Sequence, residues 1–122
     1  MSELQLVVQN LGDVVVVNLS GPTILDGSTV DALGEELFKL VDEQARRKIL
    51  LDFTRVKFLS SAILGVLIRL QKRVASIKGR MALLGLRPDL HKVFKISKLD
   101  RLFEFFDNEQ DALNSFDVYT SQ

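Results

Sequence analysis

Lys48-Ile-Leu-Leu-Asp-Phe53, the link Thr54-Arg-Val-Lys57 and the run Phe58-Leu-Ser-Ser-Ala-Ile-Leu-Gly-Val-Leu67 decide how this chain folds. Ile49 to Phe53 is apolar except for Asp52, the pattern of a central strand covered on both faces. After the link, apolar residues recur with a helical period. Ile63, Val66, Leu67, Leu70, Val74 and Ile77 fall on one stripe at 100° per residue, with Arg69, Lys72, Arg73 and Ser76 opposite. The spacing predicts a helix running to about Lys78 and ended by Gly79.

Working outward, Val14-Val-Val-Val-Asn-Leu19 is a β-branched run fit for a buried strand, and Leu4 to Val8 is an edge strand. Asn10-Leu-Gly-Asp13 turns one into the other. Ser20-Gly-Pro22 stops the second strand, and the loop through Leu25-Asp-Gly-Ser28 leads to a helix capped by Ser28 or Thr29. In that helix Val30, Leu33, Leu37, Leu40 and Val41 face inward, while Asp31, Glu35, Glu36, Asp42 and Glu43 form a solvated acidic face.

Beyond Gly79, Met81 to Leu86 is a strand, and Pro88 opens a shorter helix reaching about Ile96. Leu102 to Phe106 forms a short last strand, and Asn108 caps a final helix ending near Phe116. Strands that alternate with helices define an α/β fold: a mostly parallel central sheet, an antiparallel pair at the N-terminus and about four helices. One domain over residues 1–117 and a loose tail over 118–122 are expected.

The chain has 122 residues, with sixteen basic and sixteen acidic side chains and no cysteine. Charge balance removes the global field that would hold nucleic acid or an anionic membrane, and points to a protein or small-molecule partner. Without cysteine there are no disulfides, thiolate metal sites or cysteine nucleophiles, as suits a reducing cytoplasm. The start Met1-Ser-Glu-Leu-Gln-Leu6 lacks the basic and apolar segments of a signal peptide, and no apolar stretch approaches the ~18–20 residues of a membrane span. A soluble, cytoplasmic protein is expected, without cofactor, metal, nucleic acid or membrane, as a monomer or weak homodimer.

Ser60 and Ser61 stand where the helix begins. A helix N-terminus presents unpaired N–H groups, and serine is among its best caps. One cap needs one serine. Ser60 projects toward Ile63, Leu64 and Leu67 and is the better cap. Ser61 aligns with Leu64, Gly65 and Ile68 by the i, i+3, i+4, i+7 rule, forming one exposed ridge in which Gly65 permits close approach. In the competing reading, Leu64 and Ile68 pack beneath the Leu25 loop or the final helix.

These segments, in this order, resemble the STAS domain of bacterial anti-sigma factor antagonists. The resemblance rests on the strand pair, Gly21-Pro-Thr-Ile-Leu-Asp26, Leu50-Leu-Asp-Phe53, Phe58-Leu-Ser-Ser61, Leu64-Gly-Val-Leu67, Val93-Phe-Lys-Ile96 and Leu99-Asp-Arg-Leu-Phe103. It implies the STAS fold and partner switching. The unmodified protein binds an anti-sigma factor that is a serine kinase, phosphorylation at the start of the central helix blocks the complex, and a PP2C-type phosphatase restores it. The implied contact residues are Asp26, Ser60, Ser61, Ala62, Leu64, Gly65 and Ile68.

The commonest family pattern is Asp-Ser-Ser/Thr-Gly-Leu-Gly. Aligned on Leu64-Gly65, its aspartate falls on Ser60, its first serine on Ser61, its usual acceptor on Ala62 and its glycine on Ile63. Members that begin Ser-Ser-Ala imply Ser61 as the acceptor, with Ser60 the second choice. A scaffold or adaptor that uses the same surface without phosphorylation is the alternative function. Enzymatic use of Ser61 would need an activating base and an oriented third group. His91, the sole histidine, sits among Lys92, Lys95 and Lys98 as a solvated surface residue, the glycines of a nucleophile elbow are missing, and no catalytic residue is assigned. Arg46-Arg-Lys48 and the three lysines read as solvated helix ends. Phe103, Phe105 and Phe106 are expected in the core or under the last helix.

Overall fold

The computed structural model describes residues 5–20 and 27–116. In chain order these form β1 (Gln5–Leu11), β2 (Val14–Ser20), α1 (Gly27–Asp42), β3 (Lys48–Asp52), α2 (Ser61–Ser76), β4 (Arg80–Leu84) and α3 (Pro88–Ile96). A single 3-10 turn at Leu99–Arg101, β5 (Glu104–Phe106) and α4 (Glu109–Ser115) complete them. The strands make one sheet in the order β1-β2-β3-β4-β5. β1 pairs antiparallel with β2, and every other neighbouring pair is parallel.

Strand alternation sorts the side chains into two cores. Val15, Val17, Leu19, Ile49, Leu51, Phe53, Met81 and Leu83 face one side, where they meet Val30, Leu33 and Leu37 of α1, the predicted stripe of α2, and Leu90 and Phe94 of α3. Val14, Val16, Leu50, Ala82 and Leu84 face the other, where Ala112, Leu113 and Phe116 cover them. The sheet is therefore a shared wall. Three helices pack on one face, and one seven-residue helix with its C-cap residue packs on the other.

The predicted caps hold at two places and shift at two. Asn108 accepts from Asp111 N–H at 2.9 Å and opens α4, and Pro88 occupies the first turn of α3. α1 begins at Gly27, so Ser28 and Thr29 lie inside the helix and not at its cap. At the end of α2 the left-handed residue is Lys78 (φ 62°), and Gly79 does not carry a positive φ. Glycine is needed there for space: a Cβ at residue 79 would stand 2.9 Å from Arg47 Cα and against the Arg47 carbonyl. That carbonyl accepts from Arg80 N–H at 2.6 Å, bringing the start of β4 onto the approach to β3.

Further differences concern the ends of elements. β1 extends three residues past the expected strand because Asn10 and Leu11 still pair with Val15 and Val14. Leu102 lies outside β5 and is 43% exposed, since the 3-10 turn precedes the strand. Phe103 and Phe105 join the larger core and Phe106 the smaller one, so only Phe106 sits on the α4 side. His91 is half-buried, with its ring 4.5 Å from that of Phe105, and is not the freely solvated residue expected. Leu4, the Gly21–Asp26 loop and the 118–122 tail lie outside the described residues.

Candidate functional site

The exit from β3 is pinned before α2 begins. Asp52 Oδ1 accepts from Thr54 N–H at 2.9 Å and from the Thr54 hydroxyl, folding the chain out of the strand in an Asx turn. Gly85 crosses close by: its φ of 71° suits glycine, and a Cβ would stand 2.7 Å from Thr54 Oγ1. Val56, 2% exposed, anchors the link in the larger core. Phe58 then turns outward, 54% exposed.

The two serines separate as helical geometry requires. Ser60 is the N-cap of α2, with extended backbone (φ −90°, ψ 163°), and its Oγ accepts from Ile63 N–H at 3.4 Å. Its carbonyl accepts from the same N–H at 3.2 Å and from Leu64 N–H at 3.4 Å. Ser61 is the first helical residue and is exposed, as is Ala62. Leu64, Gly65 and Ile68 are half-buried. Leu64 and Ile68 rest on the rim of the larger core with part of their surface in solvent. The final helix does not cover them, because α4 lies on the opposite face of the sheet.

The structure thus brings Ser60, Ser61, Ala62, Leu64, Gly65 and Ile68 together at the first two turns of α2. Asp26 lies outside the described residues. Phe58 is the addition: an apolar ring three positions before Ser61, exposed beside it in sequence. An apolar residue beside a buried run reads as core, so only its exposure reveals it.

A cavity of about 620 Å³ lies at the opposite pole and is lined by Asp13, Arg46, Arg47, Lys48, Lys78 and Arg80 among others. These residues precede or begin the parallel strands, whereas the serines follow the C-terminal end of β3. Four of its cations are engaged. Lys48 pairs with Asp13 at 3.1 Å, Arg47 donates to Lys78 O at 3.2 Å, and Arg46 donates to Asn10 at 2.7 Å. Arg80 grips Glu104 at 2.6 Å and Ser115 O at 2.6 Å, with its guanidinium 4.4 Å from the Phe116 ring centroid. Arg47 and Arg80 thereby satisfy carbonyls at the ends of α2 and α4, where the helix dipole favours cations. The Lys48 ammonium beside Asp13 holds that carboxyl below the ordinary aspartate range. Among the described residues no cluster of three metal-ligating side chains occurs, and no helix is long and apolar enough to cross a membrane.

The sequence model of the STAS domain matches residues 5–112, and the chain belongs to the STAS domain family. The anti-sigma F factor antagonist of Paenibacillus polymyxa is 28% identical over 115 residues, covering 94% of this chain and 97% of that protein. The structure of SpoIIAA, an anti-sigma factor antagonist, in its unphosphorylated form superposes with a TM-score of 0.80 at 22% identity, over 96% of this chain and 100% of that one. The Bacillus cell fate determinant SpoIIAA in its phosphorylated form gives 0.71 at 25% identity, over 93% and 98% of the two chains. The mixed five-stranded sheet with four helices is the SpoIIAA fold.

Proposed function

We propose that this protein is an anti-sigma factor antagonist whose binding to an anti-sigma switch kinase is governed by phosphorylation of Ser61. The observation that carries the reading is the division of labour at the start of α2. Ser60 Oγ is used as the cap, while Ser61 is exposed with no hydrogen bond from its hydroxyl among the described residues, next to a surface offering Phe58, Ala62, Leu64 and Ile68. An apolar partner can close over a neutral hydroxyl. Transfer of the γ-phosphoryl group of ATP to Ser61 Oγ, with loss of the hydroxyl proton, places about −1.5 to −2 charges in that contact, and desolvating them opposes binding. A PP2C-type phosphatase would restore the hydroxyl, and the fold need not change at either step. The relatives support the general role: the Paenibacillus protein carries the antagonist name, and SpoIIAA is known in both phosphorylation states.

Incubation with the cognate kinase and ATP is expected to label Ser61. Absence of label on Ser61 and Ser60 alike would remove the switch. Capture of a histidine-kinase-like ATPase by the wild type, reduced at least tenfold by Ser61→Asp, is the matching binding result. Equal capture by both proteins would indicate a scaffold that ignores phosphorylation.

A further inference from the structure

Ser61, Gly65 and Arg69 are successive members of one i±4 row on α2. Long side chains on a helix lean toward its N-terminus, and Arg69 does so. Its Nη1 lies 3.5 Å from where a Cβ on Gly65 would stand, and apart from the chain neighbours Leu64 and Val66 no other side chain among the described residues comes within 4 Å of that point. Arg69 is exposed and has no ion pair or side-chain hydrogen bond among the described residues. Arg73, the next member of the row, is committed: it pairs with Asp42 and its guanidinium carbon lies 4.0 Å from the centroid of the Phe38 ring. One arginine of the row thus fastens α2 to α1, and the other lies back over a glycine without a partner.

We propose that Arg69 is an intramolecular clamp for a phosphate on Ser61, and that Gly65 is the open floor across which the two meet. The proposal rests on the reading of Ser61 as the phosphoacceptor. A guanidinium drawn back to the level of Gly65 has about one helical turn, ~5.4 Å, left to span, and the phosphate ester reaches part of that distance. Phosphoserine offers three acceptor oxygens, and guanidinium offers a planar fork of donors matched to them. The resulting pair lies along Leu64 and Ile68. Phosphorylation would then cover the ridge with two desolvation-resistant ions as well as charge the serine, so a partner loses both parts of its contact at once.

The test is the second ionisation of the phosphate in a full-length chain carrying phosphoserine at 61, installed during translation and followed by phosphorus NMR from pH 5 to 8. A neighbouring cation favours the dianion and lowers this pKa from its ordinary value near ~6. Arg69→Gln is expected to raise it by about half a unit, roughly a threefold change in proton affinity. Lys72→Gln removes the same charge about three turns from Ser61 and is expected to leave the pKa within about 0.1 unit. Arg69→Lys should retain part of the shift, and Gly65→Leu, which blocks the floor, should lose it. Equal effects of Arg69→Gln and Lys72→Gln, or no effect of either, overturn the clamp. Because the phosphate is supplied without a kinase, this outcome is separate from the labelling experiment: a clamp without kinase labelling sinks the switch, and labelling without the shift sinks the clamp.

Discussion

At residue 60 the hydroxyl turns into the helix, and at residue 61 it turns out to solvent. The two serines should therefore respond differently to the same change. Ser60→Ala removes the N-cap of α2 and is expected to lower stability by about 1 kcal/mol, whereas Ser61→Ala should stay within about 0.5 kcal/mol of wild type. Urea unfolding of both variants checks this, and equal losses would mean that Ser61 shares the cap. Asp13 supplies a pH prediction. Its carboxyl is lowered by the hydrogen bond and charge of Lys48, so the pair's contribution is full above the unfolded aspartate pKa and fades as pH falls through the lower folded value. Asp13 is exposed, so the effect is small and screened by salt. Asp13→Asn should lower stability slightly at neutral pH, leave it unchanged at pH below the folded aspartate value, and so flatten the acid limb of the profile, as read from unfolding midpoints at stepped pH in low salt.

Elements differ in how much of the fold depends on them. The larger core is built by three helices, so no single side chain there closes the face alone. The smaller core depends on α4 and its C-cap: Phe116, 1% exposed, packs with Ala112 and Leu113 over Val14, Val16, Leu50, Ala82 and Leu84. Phe116→Ala should cost about 3–5 kcal/mol through lost burial and the cavity left behind. It would also remove the ring over which Arg80 lies. Ile96→Ala, at a position 81% exposed, is expected to change stability by less than about 0.5 kcal/mol. Chemical denaturation of the pair gives the comparison, and similar values for both would refute the assignment of α4 as the cover of the second face. Element types were legible because periodicity reports them: Ile63, Val66, Leu67, Leu70 and Val74 of the expected stripe are buried, and Ile77, its sixth member, is the C-cap residue and only partly buried. Ends were less so, because β1 continues wherever β2 offers partners, and the 3-10 turn at Leu99–Arg101 has no period of its own.

Across the whole molecule, β2, β3 and β4 belong to both cores, so the two faces cannot unfold independently. Wild type and Ser61→Asp should each show one cooperative transition, with near- and far-ultraviolet circular dichroism coinciding and midpoints within a few degrees. A variant that lost its partner by unfolding would fail this measurement, while a charge acting only at the surface would pass it.

Sequence alone determined the alternation of strands and helices, the inward stripe of α2, the caps at Pro88 and Asn108 and the unequal roles of Ser60 and Ser61, because each follows from neighbours a few residues away. Tertiary structure decided what depends on distant segments. It set which face α4 covers, the exposure of Phe58, the tilted ring contact of His91 with Phe105, and the need for Gly79 against the Arg47 backbone. It also left Arg69 over Gly65 while Arg73, one turn further on, was taken by Asp42 of α1. Local periodicity fixes the direction in which a side chain leaves its own element. Only the packing of other elements decides what it meets there.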